Sequence, residues 1–188
     1  ILKETDIDWV RLLYLYPNRI SEDLLKIIRD HERVCKYIDL PLQHINDRIL
    51  ALMNRRGASK KHIYKLIAKI RKLIPEAALR TAFIVGFPSE TDEEFKELLN
   101  FIEEMRFERL GVFIYSPEES TAAFKMAKQL PQRIKAERFD TVMRKQQEIS
   151  SSINKRYLGK ALDVLIDEKE TDHYLGRTQY DAPEVDGL

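Results

Sequence analysis

Leu79-Arg80-Thr81-Ala82-Phe83-Ile84-Val85, followed by Gly86-Phe87-Pro88-Ser89-Glu90-Thr91, is the stretch on which the fold of this chain turns. Its first seven residues are rich in aliphatic and aromatic side chains and run into glycine and proline, the pattern of a buried strand that stops at a turn. Thr91 and Glu94 then stand at the spacing of a capping box, and Phe95, Leu98, Leu99 and Ile102 form the apolar stripe of a helix behind it. The unit is therefore strand, turn, helix.

The same alternation extends in both directions. Downstream, Leu110 to Tyr115 (LGVFIY) reads as a strand that passes through Ser116-Pro117 into a polar loop and then a long helix from about Ile134 to Asn154. Upstream, Trp9 to Tyr16 (WVRLLYLY) reads as a strand ended by Pro17 and Asn18. A helix follows with Ser21 as N-cap, Glu22 and Asp23 at its positive end, and Leu24, Leu25 and Ile28 on one face. Tyr37 to Leu42 (YIDLPL) is a further strand, its end demoted by Pro41, with Gln43 and His44 just beyond. Helices come next around Asp47 to Asn54 and from Ser59 to Leu73, divided by Gly57, the second with Ile63, Leu66, Ile67 and Ile70 in helical period. Alternation of this kind makes an α/β fold of parallel strands and helical crossovers, either an open doubly wound sheet or part of a barrel.

In both architectures ligands gather at the carboxyl ends of the strands. Those ends carry Tyr14 to Asn18, Gln43 and His44, Gly86 to Thr91, and Tyr115 to Thr121. After Gly159 the pattern changes to ALDVLID and HYLGRT, short strands that open a small β-barrel, and VDGL stops in a turn toward another strand. An amphipathic segment is already under way at Ile1, which is not Met, so both edges are those expected of a piece of a longer protein.

Composition narrows the partners. Of 188 residues 44% are hydrophobic, enough for a core, and 32 Lys and Arg nearly balance 31 Asp and Glu, so no strong field points to nucleic acid or an anionic membrane. No apolar run approaches the roughly 20 residues of a membrane span, and the expectation is a cytoplasmic protein. A single cysteine, Cys35, excludes an intrachain disulfide and any metal site built from several thiolates of these residues. It reads as a small buried residue. The four histidines share no metal-binding spacing, and His31, His62 and His173 sit in polar, exposed contexts.

At the strand ends, GFPSET combines a glycine for close approach, a proline that stiffens the turn, and free helix-start N–H groups; it is either an anion contact or an ordinary strand-to-helix turn. Gln43 and His44 suit a polar ligand or a structural hydrogen bond. Arg80 needs a carboxylate, from the protein or from a bound amino acid. Glu118 and Glu119 read as solvated. Tyr14, Tyr16, Phe83, Phe87, Phe113 and Tyr115 include both core residues and rings able to stack on a purine.

Four segments in order, KYIDLPLQHINDRILALMNRR, LRTAFIVGFPSETDEEF, LGVFIYSPEESTAAF and GRTQYDAPEVDG, resemble the later radical S-adenosylmethionine (SAM) barrel and the beginning of the TRAM domain of RimO-type methylthiotransferases. The resemblance implies a partial (β/α)6 TIM-like barrel over residues 1–158, lacking its first strands and closed by its long helix, and an incomplete TRAM β-barrel over 159–188. It implies an enzyme in which a 4Fe-4S cluster binds SAM and cleaves it reductively to a radical that abstracts hydrogen. A methylthio group is then installed on the β-carbon of an aspartate in small-subunit ribosomal protein number twelve. A second 4Fe-4S cluster, in an amino-terminal domain, and an electron donor serve the reaction, with no membrane and no nucleic acid. The radical cluster needs three thiolates from C-x-x-x-C-x-x-C, a motif this sequence lacks, so the chain by itself is expected to be inactive and to hold no cluster. Cofactor contacts implied at the strand ends are Gln43, His44, Arg80, Gly86, Glu90, Thr91, Phe113 and Tyr115. Where the family has glycine, Ser89 and Ser120 stand here, and a positive φ at either would strain the loop. Alternatives are a transfer RNA methylthiotransferase of the same superfamily, a non-catalytic binding module that kept the fold, and an unrelated α/β enzyme with a phosphorylated ligand at GFPSET.

Overall fold

Four parallel strands, β1 (Val10–Leu12), β2 (Val34–Gln43), β3 (Ala78–Val85) and β4 (Arg109–Ile114), lie side by side in the order in which the chain makes them. The computed structural model describes residues 2–55, 57–183, 185 and 186; Ile1, Arg56, Glu184, Gly187 and Leu188, and with them the expected exit of VDGL, lie outside the described residues. A doubly wound sheet reverses its order at a switch point. This one does not, so its crossovers stay on one face and the sheet is a barrel wall.

The apolar periodicity agrees. Ile38, Leu40 and Leu42 of β2, Leu79, Phe83 and Val85 of β3, and Val112 of β4 share one core with α1 (Glu22–Asp30), α3 (Lys60–Leu73), α4 (Asp92–Met105) and α5 (Gln132–Asn154). Phe83, fully buried, meets Phe101 and Phe107 edge-on at 6.2 and 6.1 Å. The alternate residues of the same strands, among them Tyr37, Asp39, Arg80, Gly111 and Phe113, therefore face the barrel lumen.

Local signals placed most elements. Ser21 and Ser59 accept from Leu24 N and His62 N as helix caps, and Thr91 and Glu94 make both halves of the capping box. Three expectations change. The first strand is three residues long, because Tyr14 turns to a φ of 56° and a 3-10 turn (Pro17–Arg19) follows. The helix after Asn46, α2 (Asp47–Leu52), stops before Asn54, which has a φ of 55°. Gln43 closes β2 instead of following it, and Pro41, with no N–H to give, lies where the pairing with β3 slips between Leu40 and Gln43.

Beyond α5 a short antiparallel pair, β5 (Val164–Lys169) and β6 (Tyr174–Thr178), begins a second sheet. The chain then returns to the barrel: Tyr180 and Ala182 pack with Trp9, Cys35, Tyr37 and Ala78 at the amino end of the lumen. Burial raises the pKa of the Cys35 thiol. His31 and His62 are part-buried, with a ring nitrogen of each out of water, whereas His173 is exposed as expected. No helix among the described residues is long and apolar enough to cross a membrane.

Candidate functional site at the carboxyl ends of the strands

A cavity of 460 Å³ opens where β2, β3 and β4 end, lined by Gln43, Ile84, Phe113 and Ile114 from the strands, Phe87 from the turn, Leu52 to Arg55 from the exit of α2, and Tyr115, Ser116 and Thr121 to Ala123 from the loop after β4. Its size falls in the range of about 300–1,000 Å³ typical of small-molecule sites. Of the aromatic candidates, Phe113 keeps 59% of its surface exposed, an open ring face, whereas Tyr115 is buried on Phe87 with ring centroids 5.2 Å apart. The phenol of Tyr115 is the firmer wall and Phe113 the freer platform.

His44, Gly86, Glu90 and Thr91 stand behind this cavity rather than in its lining. Glu90 is wholly buried and its carboxylate accepts from the N–H groups of Gly86 and Phe87, with Arg138 Nη1 of α5 at 3.0 Å and His44 Nε2 at 3.4 Å. The His44 Nδ1 atom accepts from Asn46 N at 3.0 Å, so the ring joins the turn of β3 to the start of α2. The free turn amides that a ligand anion could have taken are thus already used by the protein's own carboxylate. Gly86 has a φ of 73°, and a Cβ there would lie 2.5 Å from Lys135 Cγ, so the α5 lysine fills the place a side chain would need. Lys135, whose pKa burial lowers, donates to Tyr115 O at 3.1 Å and stands 4.9 Å over that ring. The turn of β3 and the end of β4 are held together from one helix.

Ser89 takes a φ of 64°, the strained conformation foreseen for a non-glycine residue at this place, and Arg48 steadies it through Oγ at 3.1 Å and the carbonyl at 2.8 Å. Ser120 is not among the residues of positive φ. Arg80 lies elsewhere: it pairs with Asp39 Oδ1 at 3.0 Å and Asp186 Oδ1 at 3.4 Å inside the lumen, so its carboxylates come from the protein. It also borders a separate 650 Å³ cavity between β4 and α5.

Sequence reading passed over Arg55. Its guanidinium lies 5.0 Å from the centre of the Tyr16 ring, Nη2 donates to Pro41 O, and Nε is buried without an acceptor on the cavity wall. A planar cation held in this way is suited to a carboxylate ligand. Nothing in its local sequence distinguished it from other helix-exit arginines; the stack on Tyr16 is tertiary.

The Thr121 hydroxyl is spent on Glu118 O and Phe124 N, while the Gln43 amide, the Ser116 hydroxyl, the Arg55 guanidinium and an exposed phenyl ring offer donors and an aromatic face to a small polar ligand. They do not match an iron–sulfur cluster. Cys35 is buried at the other end, and among the described residues no group of three His, Cys, Asp or Glu is placed to hold a metal.

Comparison with known proteins bears on the family and the fold. The family described as the radical SAM superfamily matches residues 3–102, and a TRAM domain matches 158–188. Proteins named ribosomal protein uS12 methylthiotransferase RimO are similar over nearly the whole chain: 48% identical in Thermodesulfovibrio yellowstonii, with 96% of this chain and 42% of that protein covered, and 50% in Geotalea uraniireducens, with 96% and 41% covered. The chain thus spans about two fifths of the length of the curated relatives it matches. Among solved structures, coproporphyrinogen III oxidase (HemN) from Escherichia coli, titled a radical SAM enzyme, superposes with a TM-score of 0.62 at 22% identity, covering 75% of this chain and 32% of that one, a likeness of fold. On the strand order, the cavity at the strand ends and the match over more than half its length, the chain belongs to the radical SAM superfamily.

Proposed function

We propose that this chain is the SAM-facing part of a methylthiotransferase acting on an aspartate β-carbon of ribosomal protein uS12, with residues 1–158 as the barrel portion and 159–188 as the start of a TRAM domain. The observation that carries the reading is the carboxyl-end cavity, in which a carboxylate-seeking arginine, Arg55, and an open ring, Phe113, stand on one wall system. The similarity to proteins named uS12 methylthiotransferase RimO supports the substrate.

When bound, SAM and its cluster supply the radical that activates the substrate carbon. The work of these residues is binding and orientation. Arg55 takes the ligand carboxylate, Gln43 and the Ser116 hydroxyl take its amino and ribose groups, and Phe113 stacks on the adenine. Glu90, His44 and Arg138 keep the turn behind the cavity rigid. The thiolates of the radical cluster are not among these residues, so the chain alone is expected to give no turnover. An electron donor and a cytoplasmic setting belong to the same proposal.

Deleting the gene tests it. The mass of uS12 should fall by one methylthio group in place of hydrogen, and transfer RNA should keep its modifications. An unchanged uS12 mass with a lost transfer RNA methylthio group would move the substrate to RNA, and no change in either would refute methylthiolation.

A further inference from the structure

One polar line crosses the lumen from the amino end of the barrel to the carboxyl end. At the amino end the returning segment after β6 is fastened in several ways: Arg11 Nη2 donates to Thr178 O at 3.2 Å, Lys36 N donates to Gln179 Oε1 at 3.2 Å, and Arg109 pairs with Asp181. Asp186 reaches furthest in. Its Oδ2 accepts from the Tyr37 hydroxyl at 2.6 Å and from Ala182 N at 2.8 Å, and its Oδ1 lies 3.4 Å from Arg80 Nε. Arg80 then donates from Nη1 to Asp39 Oδ1 at 3.0 Å. The other carboxylate oxygen of Asp39 accepts from Tyr14 N at 2.9 Å, and its carbonyl accepts from Leu15 N at 2.9 Å.

All three acid–base groups are sheltered, with side-chain exposures of 2% for Asp186, 10% for Arg80 and 1% for Asp39, so their mutual contacts are little screened. Burial by itself would lower the pKa of Arg80, and the hydrogen bond to Asp39 with the charges of Asp39, Tyr37 and Asp186 together more than offset it. The line ends on a residue held in an unusual state: Tyr14 has a φ of 56° and leaves 72% of its surface exposed at the end of the barrel where the cavity opens. A large aromatic in the left-handed region persists where its surroundings over-determine it. Here the over-determination is Asp39, which takes both consecutive N–H groups.

We propose that Asp186 is a positioning residue for the ligand end of the barrel: acting through Arg80 and Asp39, it fixes the Tyr14–Leu15 peptide, so that seating of the segment after β6 sets the geometry of the carboxyl-end rim. The small second domain is thereby coupled to the site across the lumen. The identity of the ligand rests on the reading above, and the mechanical part does not.

The test uses the full-length protein and S-adenosylhomocysteine as probe. In Asp186→Asn, amide exchange in peptides covering residues 13–16 should quicken about tenfold, as expected when a charged acceptor chain is broken, while the amides of Gly86 and Phe87, held by Glu90, keep their rates. Affinity for the probe should fall about three- to tenfold, and in an Asp39→Ala background, where the line to the Tyr14 amide is already cut, the same substitution should have no further effect on it. Tyr37→Phe, which removes only the hydroxyl that Asp186 accepts, should act in the same direction if the first variant does not fold. Unchanged exchange at 13–16 alongside faster exchange at 178–186 would overturn the proposal, as would unchanged probe affinity in a protein whose wild type binds it. Failure of the wild type to bind S-adenosylhomocysteine would refute the SAM reading and leave the exchange result to decide the strut.

Discussion

Replacing Ser89 by glycine should make the protein more stable, although it removes a hydrogen bond. At a φ of 64° the Cβ of Ser89 crowds its own backbone, a conformation that costs an L-residue about 1–2 kcal/mol. Glycine escapes that cost, but its freer unfolded chain returns about 0.4–1 kcal/mol. The lost contact is the donation from Arg48 Nη1 to Ser89 Oγ at 3.1 Å, on an arginine that is half exposed and remains tied to the Ser89 carbonyl and to both oxygens of Glu94. Its loss is worth a few tenths at most, since exposed contacts of this kind contribute about 0–1 kcal/mol. The balance is a gain of about 0.5 kcal/mol, or roughly 1–2 °C in Tm for a chain of this size. Ser89→Ala is the control. It loses the same hydroxyl and keeps the Cβ, so it should fall below wild type by a few tenths of a kcal/mol. Urea unfolding of the three proteins measures the differences directly. If glycine and alanine variants shift together, in either direction, the hydroxyl and not the backbone governs this turn, and the strain argument fails.

Glu90→Ala should destabilise by about 2–4 kcal/mol, because it leaves the buried Gly86 and Phe87 amides without an acceptor and takes one carboxylate from the buried Arg138, which keeps Asp92; chemical denaturation reads it, and a loss below 1 kcal/mol would show that the network is not a support. Glu94 has a pKa held below the ordinary 4.5 by the hydrogen bond from Arg48, so its contribution to stability is present above 4.5 and is lost as pH falls through the folded value. The Tm gap between wild type and Glu94→Gln should therefore narrow as the pH is taken from 7 to below 4; a constant gap would refute this assignment. Phe113→Ala should leave stability within about 0.5 kcal/mol, since the ring is exposed, yet weaken S-adenosylhomocysteine binding by about 1–3 kcal/mol, the worth of one base on an aromatic platform. Calorimetry separates the two, and unchanged affinity would remove Phe113 from the site.

Local chemistry made the elements readable and left their arrangement open. Ser21, Ser59 and the Thr91 and Glu94 pair act within one helical turn, and each lies where the sequence put it. Strand order is a tertiary property, so alternation alone could not separate a doubly wound sheet from a barrel wall. The same limit explains the first strand: WVRLLYLY has strand chemistry throughout, and what ends it is Asp39, 25 residues later, capturing the Tyr14 amide. At the site, GFPSET had two readings from sequence. The choice between them depended on Arg138, which stands 48 residues beyond Glu90 and stabilises the carboxylate that occupies the turn amides. Arg55 and its unused Nε were invisible for a related reason, because its significance lies in Tyr16 and Pro41, which other elements deliver.

Where the backbone is strained separates a ligand end from a structural end without reference to any relative. Six non-glycine residues among those described have positive φ. Tyr14, Gln43, Asn54 and Ser89 sit where strands or the short helix after β2 finish on the cavity side, and Lys128 supplies the carbonyl that receives Ser89 N at 2.9 Å. Arg106, the C-cap of α4, is the sole case on the way into a strand. Asn54 adopts this conformation at little cost, but at about 1–2 kcal/mol each Tyr14, Gln43 and Ser89 together cost about 3–6 kcal/mol, a sizeable share of the net stability of about 5–15 kcal/mol of a whole domain. Turns at the two ends of the barrel face the same steric rules, so a fold that only had to close its chain would spread this cost evenly. It is concentrated instead where Arg55 and Phe113 stand, and at Tyr14 and Ser89 it is held in place by side chains from other elements, Asp39 and Arg48. Strain that the rest of the molecule must hold argues for a geometry required by something beyond folding, and the ligand proposed for this end of the barrel would be such a requirement.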